Sequence, residues 1–256
     1  MRILGIMMVR NGASRLKDTL DGMAAYCDSV VALDDRSVDS TAQVLQEHPV
    51  VSNHFTANPA LSQDPWFFPE SMNLDLLYRM ADFERPDWVV AADDDVRFEP
   101  GERVRSFLSG VDPGVAAIRV RCVSTWNDPE YPLMVPLMGA ATSRQGRIWR
   151  YRPGLRPGDK PLHNGYLPVN VSDFGEVVPT EEIVCYHDGW DTLRKRIEKV
   201  DLYRRLDPEC RLNHGVPYDR GLLFGYSREA VDELVGEYRV RLARRQEHDA
   251  GGDISS

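Results

Sequence analysis

The stretch DWVVAADDDVRFEPG, residues 87–101, decides how the rest of the chain is interpreted. Its apolar residues 88–92 are enough for a buried strand and too few for a helix. The run ends in Asp93, Asp94 and Asp95. Because three adjacent carboxylates repel one another, at the end of a buried strand they need a compensating cation. Side chains alternate between the faces of a strand, so we expect Asp93 and Asp95 to reach one metal ion together.

Carboxylate oxygens suit hard cations, so the cluster predicts Mg²⁺ or Mn²⁺ as a cofactor. The alternative is a solvated acidic turn, which is what most runs of aspartate are. The metal site is favoured because an apolar strand delivers the cluster to the edge of a sheet.

Composition indicates one large globular domain or two small ones. The chain has 256 residues, 42% hydrophobic and 28% charged, which is ample for a substantial core. Its net charge of −9 argues against nucleic acid as a partner. No apolar stretch has the length of a membrane span, so we expect no integral membrane segment. The cysteines form no CxxC pair and are expected to be reduced thiols of a cytoplasmic protein: Cys27, Cys122, Cys185 and Cys210.

The first part of the chain follows a βαβαβ pattern. Strands are predicted from the apolar runs at residues 3–9, 29–33 and 50–55. This opening predicts a doubly wound parallel sheet, in which ligands bind beyond the carboxyl ends of the strands. Asp34 and Asp35 follow the second strand, so they are expected to form one site with the Asp93–Asp95 cluster.

The later part of the chain is less regular. A helix is expected at residues 71–83, and a short strand at 183–186 that ends in His187. A charged helix is predicted over residues 192–206. Residues 124–168 are rich in loops, and such segments often shape a substrate site.

Five segments together resemble a family 2 glycosyltransferase of the GT-A fold. They are VRNGASRLKDTL (9–20), VVALDDRSVDST (30–41), SMNLDLLYRMA (71–81), DWVVAADDDVRFEPG (87–101) and YHDGWDTLRKRIEKVDLY (186–203). They stand in the order found in that family. The resemblance implies an α/β fold with a mostly parallel central sheet flanked by helices. It implies a single domain over residues 1–245, with a nucleotide-binding half (1–123) and an acceptor and lid half (124–245). The polar composition of residues 246–256 predicts a disordered tail.

The resemblance implies a metal-dependent transferase. Such an enzyme moves a sugar, hexosyl or related, from a nucleoside-diphosphate sugar to an acceptor, with inversion. The acceptor is left open among a small molecule, a glycan and a lipid-linked molecule. The difficult step develops charge on the departing diphosphate, and Mn²⁺ or Mg²⁺ stabilises that charge as a Lewis acid.

The resemblance also implies which residues form the site. Asp93 and Asp95 match the DxD metal motif, with Asp95 as the direct ligand and Asp93 nearer the ribose. His187 matches a histidine that completes the metal or diphosphate site, although a lone histidine is more often structural. The nucleotide-binding residues that it implies are Val9, Arg10, Asn11, Asp34, Asp35, Arg36, Asn73, Asp93, Asp94 and Lys199.

Several positions depart from the family pattern or have a simpler interpretation. Arg36 stands where a glycine is usual. Met72 stands where an arginine precedes Asn73, which removes an anion contact unless Arg79 or a later arginine replaces it. Lys199 belongs to a cationic lid over the diphosphate or, equally, to a solvated helix face.

The catalytic base is the least determined residue. An inverting mechanism needs a carboxylate that deprotonates the acceptor hydroxyl. Where relatives carry His-Glu, this chain has His163-Asn164, so that acid is absent. Of four carboxylates in the irregular half, we choose Asp173; each is otherwise an ordinary loop residue: Asp128, Glu130, Asp173 and Glu176.

Other classes of protein remain as alternatives. A non-catalytic relative that binds nucleotide and metal is the main one, because of Met72 and the missing base. A DxD-type phosphatase wants Thr or Val two residues past the second aspartate, where this chain has Arg97. A receiver domain is roughly half this length. A sugar nucleotidyltransferase would need a Gly-rich basic loop after its first strand.

Overall fold

The computed structural model describes residues 1–57, 70–125, 142–160, 164–190, 192–211 and 236. Contacts divide the chain into two compact units. The first consists of Met1–Thr125 and Ala141–Gly189, and the second of Trp126–Ala140 and Trp190–Ser256. The predicted functional halves, 1–123 and 124–245, follow a different division from these two units.

The first unit is an α/β structure built on one eight-stranded sheet. Its strands are β1 (Ile3–Val9), β2 (Ser29–Asp34), β3 (Val51–Thr56), β4 (Trp88–Asp93), β5 (Val96–Glu99), β6 (Val115–Ser124), β7 (Thr142–Arg150) and β8 (Glu176–His187). Its helices are α1 (Ala13–Ala24), α2 (Thr41–Glu47), α3 (Glu70–Glu84) and α4 (Gly101–Gly110). In the second unit the structure describes α5 (Leu193–Leu206), whose first turn is capped by the Thr192 hydroxyl.

The sheet is mixed, with the strand order β3-β2-β1-β4-β7-β6-β8-β5. Strands β1 to β4 are parallel neighbours, as the βαβ pattern predicts. β7 is antiparallel to both β4 and β6, and β5 is antiparallel to β8. β6 and β8 are again parallel, so the sheet is mostly parallel, as expected, with antiparallel pairings at β7 and β5.

The central strands are apolar because both of their faces are covered. Residues 88–92 of β4 have no exposed surface, and β1 is almost as deeply buried. Residues of α1 and α4 pack on one face, and residues of α3 pack on the other. Such burial on two sides is what selects near-continuous apolar runs in parallel strands.

Strand β8 is much longer than the predicted segment 183–186. It begins at Glu176 and pairs in parallel with β6, from Val115↔Glu176 to Ser124↔His187. Its first half reads EVVPTEE, a polar pattern with a proline that does not look like a strand in sequence.

The cysteines, the membrane segment and the tail were also subjects of expectations from the sequence. All four cysteines are free thiols, as predicted. In the part of the chain that the structure describes, no helix is both long and apolar enough to cross a membrane. The predicted tail at residues 246–256 lies outside the described residues.

Gly175 provides a test of how the start of β8 is held. Its φ of +147° is a backbone conformation that side chains with a Cβ rarely adopt, and an added Cβ would lie 2.3 Å from the Gly114 carbonyl oxygen. Gly175→Ala should therefore lower the free energy of unfolding by about 2–4 kcal/mol. Urea unfolding followed by circular dichroism measures this.

Gly154→Ala is the matched control for this change. Gly154 also has a positive φ, +87°, but nothing lies within 4 Å of an added Cβ. It should lose only the conformational part, about 1 kcal/mol. Equal losses of unfolding free energy in the two variants would show that the Gly114 carbonyl does not crowd a side chain at position 175.

Candidate active site

The ends of three parallel strands bring two acidic segments to one edge of the sheet. Met8 of β1 pairs with Asp93 of β4, and Val9 pairs with Asp34 of β2. The Val9 carbonyl accepts a hydrogen bond from the Asp35 amide at 2.8 Å. The register therefore places both segments beside the end of β1, as the sequence predicts.

The two turns at this edge are joined by side-chain bonds. The Asn11 amide nitrogen of the main chain donates to Ser37 Oγ at 2.9 Å. The Asn11 side-chain oxygen accepts from the Val38 amide at 2.9 Å. The Asp39 carboxylate accepts from the amides of Ala13 and Thr41, at 3.2 and 3.0 Å. The side-chain oxygen of Asn11, a residue predicted to contact the nucleotide, thus braces the turn.

Asp34 and Asp35 are both buried, at 1% and 0% exposure. Asp34 Oδ1 accepts from the Ser37 amide at 2.9 Å. Asp35 is paired with Arg36 Nε at 2.9 Å and lies 3.7 Å from Arg10 Nη1. Because Asp35 is enclosed by these two arginines, a ligand arriving at this edge meets Arg10 before either carboxylate.

Arg36 occupies the position where the glycosyltransferase pattern has a glycine. Its φ is +59°, in the left-handed region that favours glycine. A side chain with a Cβ costs about 1–2 kcal/mol there. The ion pair with Asp35 uses that same backbone geometry, which explains how an arginine is tolerated.

Each aspartate of the central cluster has a separate partner. Asp93 Oδ1 accepts from the Tyr166 hydroxyl at 2.6 Å, and Asp93 Oδ2 accepts from Arg147 Nη2 at 3.0 Å. Asp94 Oδ2 accepts from Arg15 Nη2 at 2.8 Å. The compensating charge that the sequence assigned to a metal ion is therefore supplied in large part by arginines of α1 and β7.

Asp94 faces α1. Thr19 Oγ1 donates to its carbonyl at 2.7 Å, and an added Cβ at Gly12 would lie 2.8 Å from Asp94 Oδ2. Burial and the neighbouring Asp95 raise the pKa of Asp94, while Arg15 opposes that shift. Asp94 anchors the helix to the sheet, so its predicted contact with a nucleotide finds no support.

Asp95 lies beside His187, at the junction of β5 and β8. His187 Nε2 is 3.3 Å from Asp95 Oδ1, and Val96 pairs with His187 across the antiparallel ladder. The amide of Asp188 donates to the Asp95 carbonyl at 2.8 Å. The predicted association of Asp95 with His187 is thus present in the structure.

The predicted set of three metal ligands is not assembled. Among the described residues, no three His, Cys, Asp or Glu side chains converge in a way that could hold a metal ion. The Asp93 carboxylate instead accepts hydrogen bonds from Tyr166 and Arg147. Asp95 and His187 remain as a pair of oxygen and nitrogen donors, and this pair fits Mn²⁺ or Mg²⁺ when phosphate and water supply the other ligands.

Helix α3 carries the asparagine of the family pattern and the methionine that replaces its arginine. Asn73 is buried, and its Nδ2 lies 3.4 Å from Met8 Sδ. Met72 is 56% exposed. Arg79 pairs with Asp75 at 2.7 Å on the outer face of α3. Arg79 therefore does not replace the anion contact that Met72 removes.

The structure places Asp173, the predicted catalytic base, far from His187 along the sheet. It lies in a single 3-10 turn, Val171–Phe174, directly before β8. The start of β8 pairs with the start of β6, whereas His187 pairs with the end of β6. Nine residues of β6 separate the two positions, roughly 30 Å of strand. Glu176 lies at the same distant end.

The remaining candidates lie elsewhere. Lys199 is half-buried on α5 in the second unit. Asp128, Glu130 and His163 lie outside the described residues. Sequence reasoning missed Arg147 and Tyr166, because neither belongs to a segment that matches the family pattern.

Comparison with known proteins gives two kinds of result. No family model matches the chain. The chain is 45% identical over 242 residues to uncharacterised proteins of Mycobacterium tuberculosis and Mycobacterium bovis, which covers 94% of its own length. It spans 60% of the length of these relatives.

Among solved structures, the chain is similar to a fragment of S. aureus TarS in complex with UDP-GlcNAc. The TM-score is 0.51 at 13% identity, over 87% of this chain and 70% of that one. A glucosyl-3-phosphoglycerate synthase of M. tuberculosis, solved with Mn²⁺ and UDP, matches with a TM-score of 0.47 at 17% identity, over 84% of this chain and 81% of that one. The likeness to TarS shows a shared fold and leaves family 2 membership a prediction.

Asp39 makes the bracing of the two turns testable by pH. Burial opposes its charge, but hydrogen bonds from Thr41 and Ala13 outweigh this and hold the pKa of the carboxyl below its ordinary value of 3.8. The carboxylate therefore stabilises the fold fully above that value, and the stabilisation is lost as the pH falls through the folded-state pKa.

Asp39→Asn should lower the free energy of unfolding at neutral pH by about 1 kcal/mol or less, because Asp39 is exposed. In urea unfolding, the difference from wild type should shrink as the pH falls below 3.8. Asp18→Asn, an exposed change on α1, should have little effect throughout. A loss that is constant with pH would contradict the assignment.

Proposed function

We propose that this protein is a glycosyltransferase that uses a nucleoside-diphosphate sugar. The observation that carries the proposal is the pair Asp95 and His187, held 3.3 Å apart at the carboxyl edge of the sheet. In open α/β sheets this edge is where ligands bind. The fold shared with TarS, which was solved with UDP-GlcNAc, supports the same conclusion.

Asp95 and His187 would hold Mn²⁺ or Mg²⁺. When bound, the ion supplies Lewis-acid stabilisation of the charge on the departing diphosphate. The Asp95 carboxylate is 8% exposed and its neighbour His187 has a side-chain exposure of 16%, so the pair is shielded but reachable. Low solvent access strengthens each electrostatic contact made there.

The nucleotide would bind across the ends of β1 and β2. Arg10, with 26% of its side chain exposed, supplies a cation beside the buried Asp35. The turns that follow these strands are held rigid by the bonds of Asn11 and Asp39. A rigid, preformed edge lowers the cost of ordering the ligand.

The position of β8 reduces the number of proposed candidates for the catalytic base of an inverting reaction. Asp173 and Glu176 lie at the far end of β8. Asp128 and Glu130 therefore remain as the proposed alternatives. Asp188 is not a substitute, because its carboxylate pairs with Arg97 and accepts from Thr125 Oγ1. Inversion and the class of acceptor remain part of the proposal.

A calorimetric titration of UDP, GDP, CDP and dTDP, with and without Mn²⁺, tests the donor site. One nucleotide should bind in a way that requires Mn²⁺, and Asp95→Asn should weaken that binding by about tenfold or more. Asp87→Asn is the matched control, because Asp87 directly precedes β4 at the opposite end of the strand. It should bind as wild type does.

Two outcomes would count against the proposal. Binding by Asp95→Asn equal to that of the wild type, with Mn²⁺ present, would remove the metal-linked donor site. If the protein binds the nucleotide but releases none from its sugar in a metal-dependent way, with any acceptor of a series, it would be a non-catalytic relative of the glycosyltransferases.

A further inference from the structure

Arg147 is the arginine most deeply enclosed at this edge of the sheet. It is 7% exposed. Its Nε donates to Gln145 Oε1 at 2.8 Å, and its Nη2 donates to Asp93 Oδ2 at 3.0 Å. Its guanidinium lies over the Tyr166 ring, 5.4 Å from the centroid. In the described part of the chain, its Nη1 is buried and has no hydrogen-bond partner.

A buried donor of this kind requires an explanation. Burial opposes the charge on Arg147, but the Asp93 carboxylate outweighs it and raises the pKa of the guanidinium. The group is therefore always charged, and Asp93 satisfies only one side of its fork. Buried charged donors are seldom left without a partner, because they lose water and gain nothing in return.

The two other arginines of β7 near Arg147 make different contacts. Arg150 donates to the carbonyls of Val111 and Val115 and lies over the Trp88 ring. Arg144 pairs with Glu181 on the surface. Arg147 differs from both, because its second contact is the aspartate that ends β4.

We propose that Nη1 of Arg147 binds an oxyanion of the substrate. The oxyanion is a phosphate oxygen of the donor or a phosphate or carboxylate group of the acceptor, and both match the fork of a guanidinium. The assignment of either source rests on the proposed function, whereas the oxyanion site itself does not. It gives this chain a cation near the strand ends, where Met72 and Arg79 supply none.

The test compares three changes at this site with one control. Arg147→Lys keeps the charge but loses the fork. Arg147→Gln removes the charge and leaves Asp93 without its cationic partner. Asp93→Asn with Arg147→Met removes both charges together, so the fold is not left with a buried carboxylate. Arg144→Gln, three residues away on β7 and on the surface, is the control.

Each protein is titrated by calorimetry with inorganic pyrophosphate, with inorganic phosphate, and with the nucleoside and the diphosphate of the preferred base. Thermal unfolding checks that every variant is folded. Wild type alone is also followed by NMR of the arginine side chains during the pyrophosphate titration and, once loaded with the diphosphate, during the phosphate titration. This last measurement needs no substitution.

If the oxyanion belongs to the donor, Arg147→Gln and the double variant lose about 10- to 100-fold in affinity for pyrophosphate and for the diphosphate. Arg147→Lys loses less, and the affinity for the nucleoside is unchanged. If it belongs to the acceptor, diphosphate affinity is unchanged, and inorganic phosphate binds the diphosphate-loaded wild type but not Arg147→Gln.

The inference is overturned if all variants bind both anions as wild type does, or if the Arg147 NMR signal does not respond to pyrophosphate or phosphate. If the wild type binds pyrophosphate through Arg147 but binds no nucleotide, the oxyanion site is supported and the proposed function is contradicted. Equal losses in Arg144→Gln would also overturn the inference, because they would reflect net charge alone.

Discussion

The structure depends on the neutralisation of acidic groups at one buried edge. Five aspartates meet at the ends of β2 and β4, and each has a partner within the first unit. The partners are the Ser37 amide for Asp34, Arg36 for Asp35, Arg147 for Asp93, Arg15 for Asp94 and His187 for Asp95. Removal of one member from such a buried pair costs several kcal/mol, because the other charge is left without compensation. Asp93 and Asp94 are therefore charge-paired within the protein, and among the described residues of this edge the Asp95–His187 pair is the proposed metal site.

This pairing links the mixed sheet to the site. β7 runs antiparallel between β4 and β6, and for that reason Arg147 reaches the carboxyl end of β4. β8 runs parallel to β6, so that its last residue, His187, reaches the same edge beside Asp95. Both residues come from the part of the chain that was expected to form a separate half. The residues of the proposed metal and oxyanion contacts thereby lie at one edge of the same sheet.

The sequence predicted what depends on local pattern. Apolar runs identified β1, β2 and β4, and strand-end position brought Asp34 and Asp93 together, because parallel strands share their carboxyl edge. What failed depends on pairing between distant segments. Arg147 has no local signal that couples it to Asp93, and the distance of Asp173 from His187 is hidden in the sequence because the polar start of β8 resembles a loop. A carboxylate close to His187 in sequence is roughly 30 Å away when an extended strand separates the two.

A crystal structure of the wild type with Mn²⁺ and the nucleoside diphosphate that it binds tests the account most directly. We expect an anomalous manganese peak bonded to Asp95 and His187, and an oxyanion of the nucleotide on Nη1 of Arg147. If that contact belongs to the acceptor, we expect Nη1 to make no contact with the diphosphate. A nucleotide bound away from this edge, or manganese held by neither Asp95 nor His187, would contradict it.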